Sequence, residues 1–195
     1  MRTEEVEVAV FHQAKLGNYE SGDAYFLHAE EDYFLCAIAD GLGNGPLAKQ
    51  SAEIIPYILA RYHMESIEEL LHRCNEYMIQ KRGAAVAIVK VHYKTKQIQY
   101  SCIGNIRCYI YQQHEKLLYP LPVTGYLSGK RINPKVQQYT YYEGDLFLLH
   151  SDGINLRSPS SILKKSRNVY ELYNNVMQEQ PVDDDATFIA ANLLR

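Results

Sequence analysis

Tyr33-Phe34-Leu35-Cys36-Ala37-Ile38-Ala39-Asp40-Gly41-Leu42-Gly43-Asn44-Gly45-Pro46 sets the frame for the whole chain. A strand with one wet face alternates apolar and polar residues, whereas residues 33–39 are apolar in succession. Such a run reads as a strand covered on both faces. Asp40-Gly41 ends it, and a glycine-rich loop leads to Pro46, a residue suited to the first helical turn. A two-residue hairpin turn would be followed directly by a second strand. Here a loop and a helix start follow instead. Leu146-Phe147-Leu148-Leu149-His150 repeats the arrangement, with Asp152-Gly153, then Ile154-Asn155-Leu156, then Ser158-Pro159. Two buried strands therefore each deliver an Asp-Gly pair into a loop, where binding residues commonly sit.

Outward from these two strands, strand patterns dominate. Val6 to Phe11 reads as a first strand. Ala24 to Ala29 and Tyr33 to Ala39 flank the turn Glu30-Glu31-Asp32 in a hairpin pattern. Ala84 to Tyr93 and Gln97 to Ser101 predict a second hairpin, and Arg107 to Gln112 with Lys116 to Tyr119 another. Gln137 to Tyr142 and Leu146 to His150 flank Glu143-Gly144-Asp145, and Thr187 to Leu194 is the last strand.

Three segments read as helices. Ser66 to Lys81 carries a capping box, Ser66 with Glu69, and an apolar stripe of Ile67, Leu70, Leu71, Cys74 and Met78. Pro46 to Met64 is a second, which Pro56 should kink or split. Pro159 to Met177 is a third, with Ser158 as N-cap. Strands, two adjacent helices, many strands, one helix and one strand make an α+β chain. A sheet–sheet core with helices outside satisfies strands buried on both faces. Nothing divides residues 1–195, which read as a single domain.

With 195 residues, 47% of them hydrophobic, the chain has enough apolar material for one sizeable core. Net charge is −3, and no Lys/Arg stripe offers the footprint that nucleic-acid binding needs. The apolar run at residues 33–39 is too short to span a bilayer, and MRTEEVEVAV lacks the apolar core of a signal peptide. Cys36, Cys74, Cys102 and Cys108 lie in apolar segments without C-x-x-C spacing, and read as reduced core residues of a cytoplasmic protein.

Asp23 opens one strand, Asp40 and Asp152 follow two others, and Asp183-Asp184-Asp185 precedes the last. Singly, each reads as a turn or a solvated loop. Their recurrence at the ends of buried strands points instead to one cluster. Carboxylates packed together raise one another's pKa unless a cation neutralises them. Carboxylate, carbonyl and water ligands favour Mg²⁺ or Mn²⁺. A pair of such ions roughly 3.5–4 Å apart activates water and clamps a phosphoryl group.

Ser21-Gly22-Asp23-Ala24-Tyr25-Phe26, Ala39-Asp40-Gly41-Leu42-Gly43-Asn44-Gly45, Gly104-Asn105-Ile106-Arg107, Ser151-Asp152-Gly153 and Asp184-Asp185-Ala186-Thr187 follow in that order through nearly the whole chain. The ordered set resembles the metal-dependent serine/threonine phosphatases of the protein phosphatase 2C (PPM) type. The resemblance implies an α-β-β-α sandwich of two antiparallel sheets flanked by helices, with two Mn²⁺ or Mg²⁺ ions at one end. It makes Asp23 and Asp40 the catalytic carboxylates, Asp40 bridging the ions. Metal ligands would be Asp23 (directly or through water), Asp40, the Gly41 carbonyl, Asp152 and Asp184, with Asp183 and Asp185 as alternatives to Asp184. The small size, Lys81-Arg82-Gly83-Ala84 and the segment 121–129 resemble the family members that serve the bacterial stressosome. That likeness implies phosphoserine and phosphothreonine on STAS-domain partners (RsbS-like and RsbR-like) and negative feedback on the sigma-B general stress response. The chain departs from larger members, which often carry a phosphate-binding Arg shortly before the first Asp, in offering Lys15 there, and in carrying Asn44 where relatives often have His.

Three rival readings fit less well. A dinucleotide loop at 41–45 would put its third glycine at Pro46 and set Asp40 beside an anionic pyrophosphate. A serine hydrolase lacks a G-x-S-x-G elbow, and neighbouring His150 and Ser151 would point to opposite faces of a strand. A catalytically weak binding module of the same fold, regulating a partner-switching complex, would have no need to keep its carboxylates crowded.

Overall fold

A computed structural model describes residues 1–113, 116–179 and 184–195. Its strands are β1 (Val6–Gln13), β2 (Asp23–Ala29), β3 (Tyr33–Gly41), β4 (Ala84–His92), β5 (Gln97–Ile103), β6 (Arg107–Gln112), β7 (Lys116–Leu118), β8 (Gln137–Thr140), β9 (Leu146–His150) and β10 (Ala186–Leu193). They form two five-stranded sheets, β1-β10-β9-β6-β7 and β2-β3-β4-β5-β8. Every ladder is antiparallel. The helices are α1 (Pro46–Ala52), α2 (Ile54–Tyr62), α3 (Ile67–Tyr77), α4 (Pro159–Lys165) and α5 (Val169–Glu179). The first three cover the β3 sheet and the last two cover the β9 sheet. The α+β reading as an α-β-β-α sandwich is therefore the observed architecture.

The successive apolar residues of β3 divide by pleat. Phe34, Cys36 and Ile38 enter the core between the sheets. Leu35, Ala37 and Ala39 face Ile55, Ile58, Leu70 and Leu71 in the helical layer. In β9, Phe147 and Leu149 share the central core, while Leu146 and Leu148 meet Leu163, Leu172 and Val176. Each fully buried large apolar side chain contributes roughly 1.5–3 kcal/mol. The pleat also fixes the site. Asp40 continues the Phe34–Cys36–Ile38 face, and Ser151 continues the Phe147–Leu149 face. Both are thereby aimed between the sheets at one end of the sandwich.

Two predicted helices are divided. Pro46 to Met64 breaks at Glu53, which separates α1 from α2. Pro56 has no N–H for the carbonyl of Ala52 four residues earlier, and its ring crowds that carbonyl, so α1 ends at Ala52. Pro159 to Met177 is corrected to α4 and α5, because Ser166 is extended. Asn168 then starts α5 afresh, its Oδ1 accepting from the N–H groups of Tyr170 at 3.0 Å and Glu171 at 2.9 Å. Ser158 makes no side-chain cap bond, which corrects its predicted role, although Pro159 does open α4. Ser66 and Glu69 form the expected capping box, and α3 ends at Tyr77, short of the predicted Lys81. The strands flanking Glu143-Gly144-Asp145 belong to different sheets. Asp145, fully buried, accepts from the N–H groups of Gln113 and Tyr142, both at 2.9 Å, and holds that crossing.

Candidate metal centre

Asp23 and Asp40 are direct partners in the β2–β3 ladder. Asp23, Asp40, Gly41, Leu42, Gly43, Asn105, Asp152, Asp184 and Asp185 line one cleft of about 230 Å³ at that end of the sheets. Asp183 lies outside the described residues.

The backbone there is packed too tightly for side chains. A Cβ on Gly41 would stand 2.0 Å from the Ala48 carbonyl oxygen of α1. One on Gly153 would stand 1.9 Å from the Asp185 carbonyl oxygen. The glycine after each aspartate thus lets α1 and the start of β10 close in on the cleft.

The carboxylates are held individually. Asp23 is 4% exposed, and its Oδ2 accepts from Ser151 Oγ at 2.7 Å. Ser151 Oγ in turn accepts from the Thr187 N–H at 3.0 Å. Asp152 Oδ2 accepts from Asn105 Nδ2 at 2.6 Å. Asp185 accepts from the N–H groups of Lys15 and Gly22, each at 2.8 Å, and so pins the loop before β2 to the start of β10. Asp184 is two-thirds exposed, with Lys15 Nζ 3.6 Å from its Oδ1.

Burial raises the Asp40 carboxyl to about 8, and the charges of Asp23, Asp152, Asp184 and Asp185 add to the rise. Burial likewise raises Asp23 to about 6, against hydrogen bonds from Ser151 and Thr187 that lower it. Among the described residues no lysine or arginine pairs with Asp23, Asp40 or Asp152. Carboxylates so crowded ionise together only beside added positive charge. The donors are all oxygens, and the set fits Mg²⁺ or Mn²⁺.

Ser151, Asn105 and Asp185 were not assigned these positioning roles from sequence. Ser151 carried one usable signal, since its parity on β9 puts it on the Asp23 side. His150 is 1% exposed, stacks on Tyr109 and bonds through Nδ1 to the Ser151 carbonyl at 2.8 Å. Besides Lys15, two arginines stand near the cleft. Arg82 Nη1 donates to the Asn44 carbonyl at 3.4 Å, beside Gly43, and Arg107 lines an adjoining hollow with Asn105 and Asp152.

Residues 30–168 match the family model for stage II sporulation protein E (SpoIIE). The phosphoserine phosphatase RsbX of Bacillus subtilis (strain 168) is 37% identical over 191 residues, which are 97% of this chain and 96% of that protein. The crystal structure of RsbX in complex with magnesium superposes with a TM-score of 0.95 at 36% identity, covering 99% of this chain and 98% of the other. The catalytic domain of the serine/threonine phosphatase PstP in complex with two manganese ions shares the fold, with a TM-score of 0.76 at 16% identity over 98% of this chain and 99% of that one. Fold and acidic cleft together are those of the metal-dependent PPM (protein phosphatase 2C-like) serine/threonine phosphatases, and the chain belongs to that family. Within the family it is a homologue of RsbX.

Proposed function

We propose that residues 1–195 act as one phosphatase domain that hydrolyses phosphoserine or phosphothreonine on stressosome STAS-domain proteins, RsbS-like and RsbR-like, in the cytoplasm. That activity would serve as negative feedback on the sigma-B general stress response. The observation that carries the reading is the crowding of Asp23, Asp40, Asp152 and Asp184 around one cleft, with the carboxyls of buried Asp23 and half-buried Asp40 raised well above their ordinary range. Likeness to RsbX along almost the whole chain supports the substrate class. A second similar structure, of the bacterial stressosome as a modular system adapted to control secondary messenger signaling, supports the setting, with a TM-score of 0.87 at 29% identity over 96% of this chain and all of that one. Among the described residues no helix is long and apolar enough to cross a membrane.

The residues divide the work. Asp40, the Gly41 carbonyl and Asp23 would hold one ion, and Asp40 with Asp152 and Asp184 would hold a second. Mg²⁺ or Mn²⁺, when bound, supplies the Lewis acidity that activates water and neutralises phosphoryl charge. Ser151 fixes Asp23, and Asn105 fixes Asp152, so the carboxylates need not reorganise as charge develops. Arg82 offers its guanidinium to the phosphoryl oxygens from beside Gly43, a role that planar, always-charged Arg performs well.

Incubating the purified chain with phosphorylated RsbS-like and RsbR-like STAS domains, with and without Mn²⁺, tests the reading. Release of inorganic phosphate that EDTA abolishes is expected. Stable phosphoproteins after prolonged incubation with Mn²⁺ would refute the substrate assignment.

A further inference from the structure

At the far end of the β2–β3 hairpin, His28, Glu30 and His63 bring one ligand atom each to within 4.8 Å of one another. His28 is five residues along β2 from Asp23, so roughly 17 Å of extended strand separates this cluster from the acidic cleft. His28 Nε2 is 2.8 Å from Glu30 Oε1, and His63 Nδ1 is 3.9 Å from the same oxygen. The imidazole centroids of His28 and His63 are 4.1 Å apart.

A tetrahedral ion with bonds of ~2.0–2.2 Å needs ligand atoms about 3.4 Å from one another. The two observed separations to Glu30 Oε1 bracket that edge within about half an ångström, and the third, between the His28 and His63 ligand nitrogens, lies within 4.8 Å. A fourth donor stands beside them. The Tyr33 hydroxyl is 2.6 Å from His63 Nδ1. Glu30 acts electrostatically on that same phenol. The side chains are partly screened from water, at 30% exposure for His28, 46% for Glu30 and 20% for His63.

The support beneath is fixed. Lys90 is 3% exposed, and its ammonium donates to the carbonyls of His63 at 2.9 Å and Glu65 at 2.8 Å. It lies 4.4 Å from the Tyr33 ring centroid. The chain leaving α2, which carries His63, is thereby tied to β4 and to the ring of Tyr33.

We propose that His28, Glu30 and His63, with the Tyr33 phenol as their neighbour, form a second metal site that takes a borderline transition-metal dication of the Zn²⁺ class. Two imidazoles and a carboxylate select such an ion, whereas the all-oxygen cleft selects Mg²⁺ or Mn²⁺. Each imidazole binds neutral through one nitrogen and keeps its proton on the other. The bound ion would tie the β2–β3 hairpin to the chain leaving α2, and so stabilise the fold without touching the acidic cleft.

Co²⁺ titration of the full chain, followed by visible absorption, separates the two sites, because tetrahedral nitrogen-containing sites absorb far more strongly than octahedral oxygen sites. Strong bands that Zn²⁺ displaces are expected, together with a rise in Tm on adding Zn²⁺. The bands should vanish in His28→Ala and His63→Ala and persist in the double variant Asp40→Asn/Asp152→Asn. Glu30→Gln, at an exposed position, should also lose them while remaining folded by circular dichroism. Tyr33→Phe should weaken Zn²⁺ binding about 10–100-fold. Absence of the bands from the wild-type chain, or their survival in His28→Ala and His63→Ala, would overturn the proposal.

Discussion

Asp23 and Asp40 sit opposite each other on adjacent antiparallel strands, Asp23 anchored through Ser151 Oγ to β9 of the other sheet. One buried hydroxyl therefore couples the two halves of the sandwich at the cleft. Stability and metal affinity should respond together when it is disturbed.

Ser151→Ala removes the donor to Asp23 and the acceptor for the Thr187 N–H, both buried. The expected loss is about 1–3 kcal/mol in urea unfolding. Affinity for Mn²⁺ should fall roughly 10–100-fold, as for other residues that position ligands. Calorimetric titration beside an unfolding curve reads both.

Asp40→Asn should separate activity from stability. Turnover should drop by at least about 100-fold, because a ligand charge is lost. In the presence of EDTA the variant should be more stable than wild type at pH 8, by about 1 kcal/mol or more, because the carboxylate that resists ionisation is gone. Differential scanning calorimetry in EDTA gives the second quantity.

The pH dependence of the metal-free chain follows from the same shift. Asp40 is raised from its ordinary value of 3.8 to about 8. The folded state therefore holds a proton that the unfolded chain releases, and stability should fall with rising pH between about 4 and 8. The contribution is complete below about 4 and lost as pH rises through about 8. Mn²⁺ should restore more of the Tm at pH 8 than at pH 5.5, in thermal scans at matched ionic strength.

Gly41→Ala would place a methyl carbon 2.0 Å from the Ala48 carbonyl oxygen. Since that contact is with backbone, α1 must move away from β3. A loss of at least about 2 kcal/mol is expected, along with weaker metal binding, and a denaturant midpoint measures it.

Arg82→Ala should act on substrate and not on the fold. KM for a phosphoprotein should rise about tenfold with little change in Tm, since Arg82 is exposed and its bond to Asn44 is long. Steady-state phosphate release against substrate concentration tests this.

Much of the fold was legible because burial leaves a strong trace in apolar runs. Residues 33–39 and 146–149 could not be half-exposed strands, and two sheets with outer helices follow from them. Helix interruptions were less visible. Asn168 and Glu171 carried the start signal for α5, but the apolar spacing ran across Ser166 and concealed it. The ladder partner of the strand 137–140 is set by long-range packing on β5, which local pattern does not encode. At the cleft the aspartates were visible as strand-end residues. Their supports, Ser151 and Asn105, are less legible: parity puts Ser151 on the Asp23 side, but no local spacing pairs a serine or a loop asparagine with a particular carboxylate. The cluster of His28, Glu30 and His63 joins a hairpin to a helix end thirty-odd residues away, and tertiary structure alone brings it together.

Anomalous diffraction from crystals grown with Mn²⁺, recorded at the manganese edge, examines the acidic cleft itself. Two peaks about 3.5–4 Å apart are expected, one on either side of Asp40, with Asp152 and Asp184 beside one of them. A cleft without anomalous density in crystals that bind manganese elsewhere would contradict the assignment of these carboxylates as the metal centre.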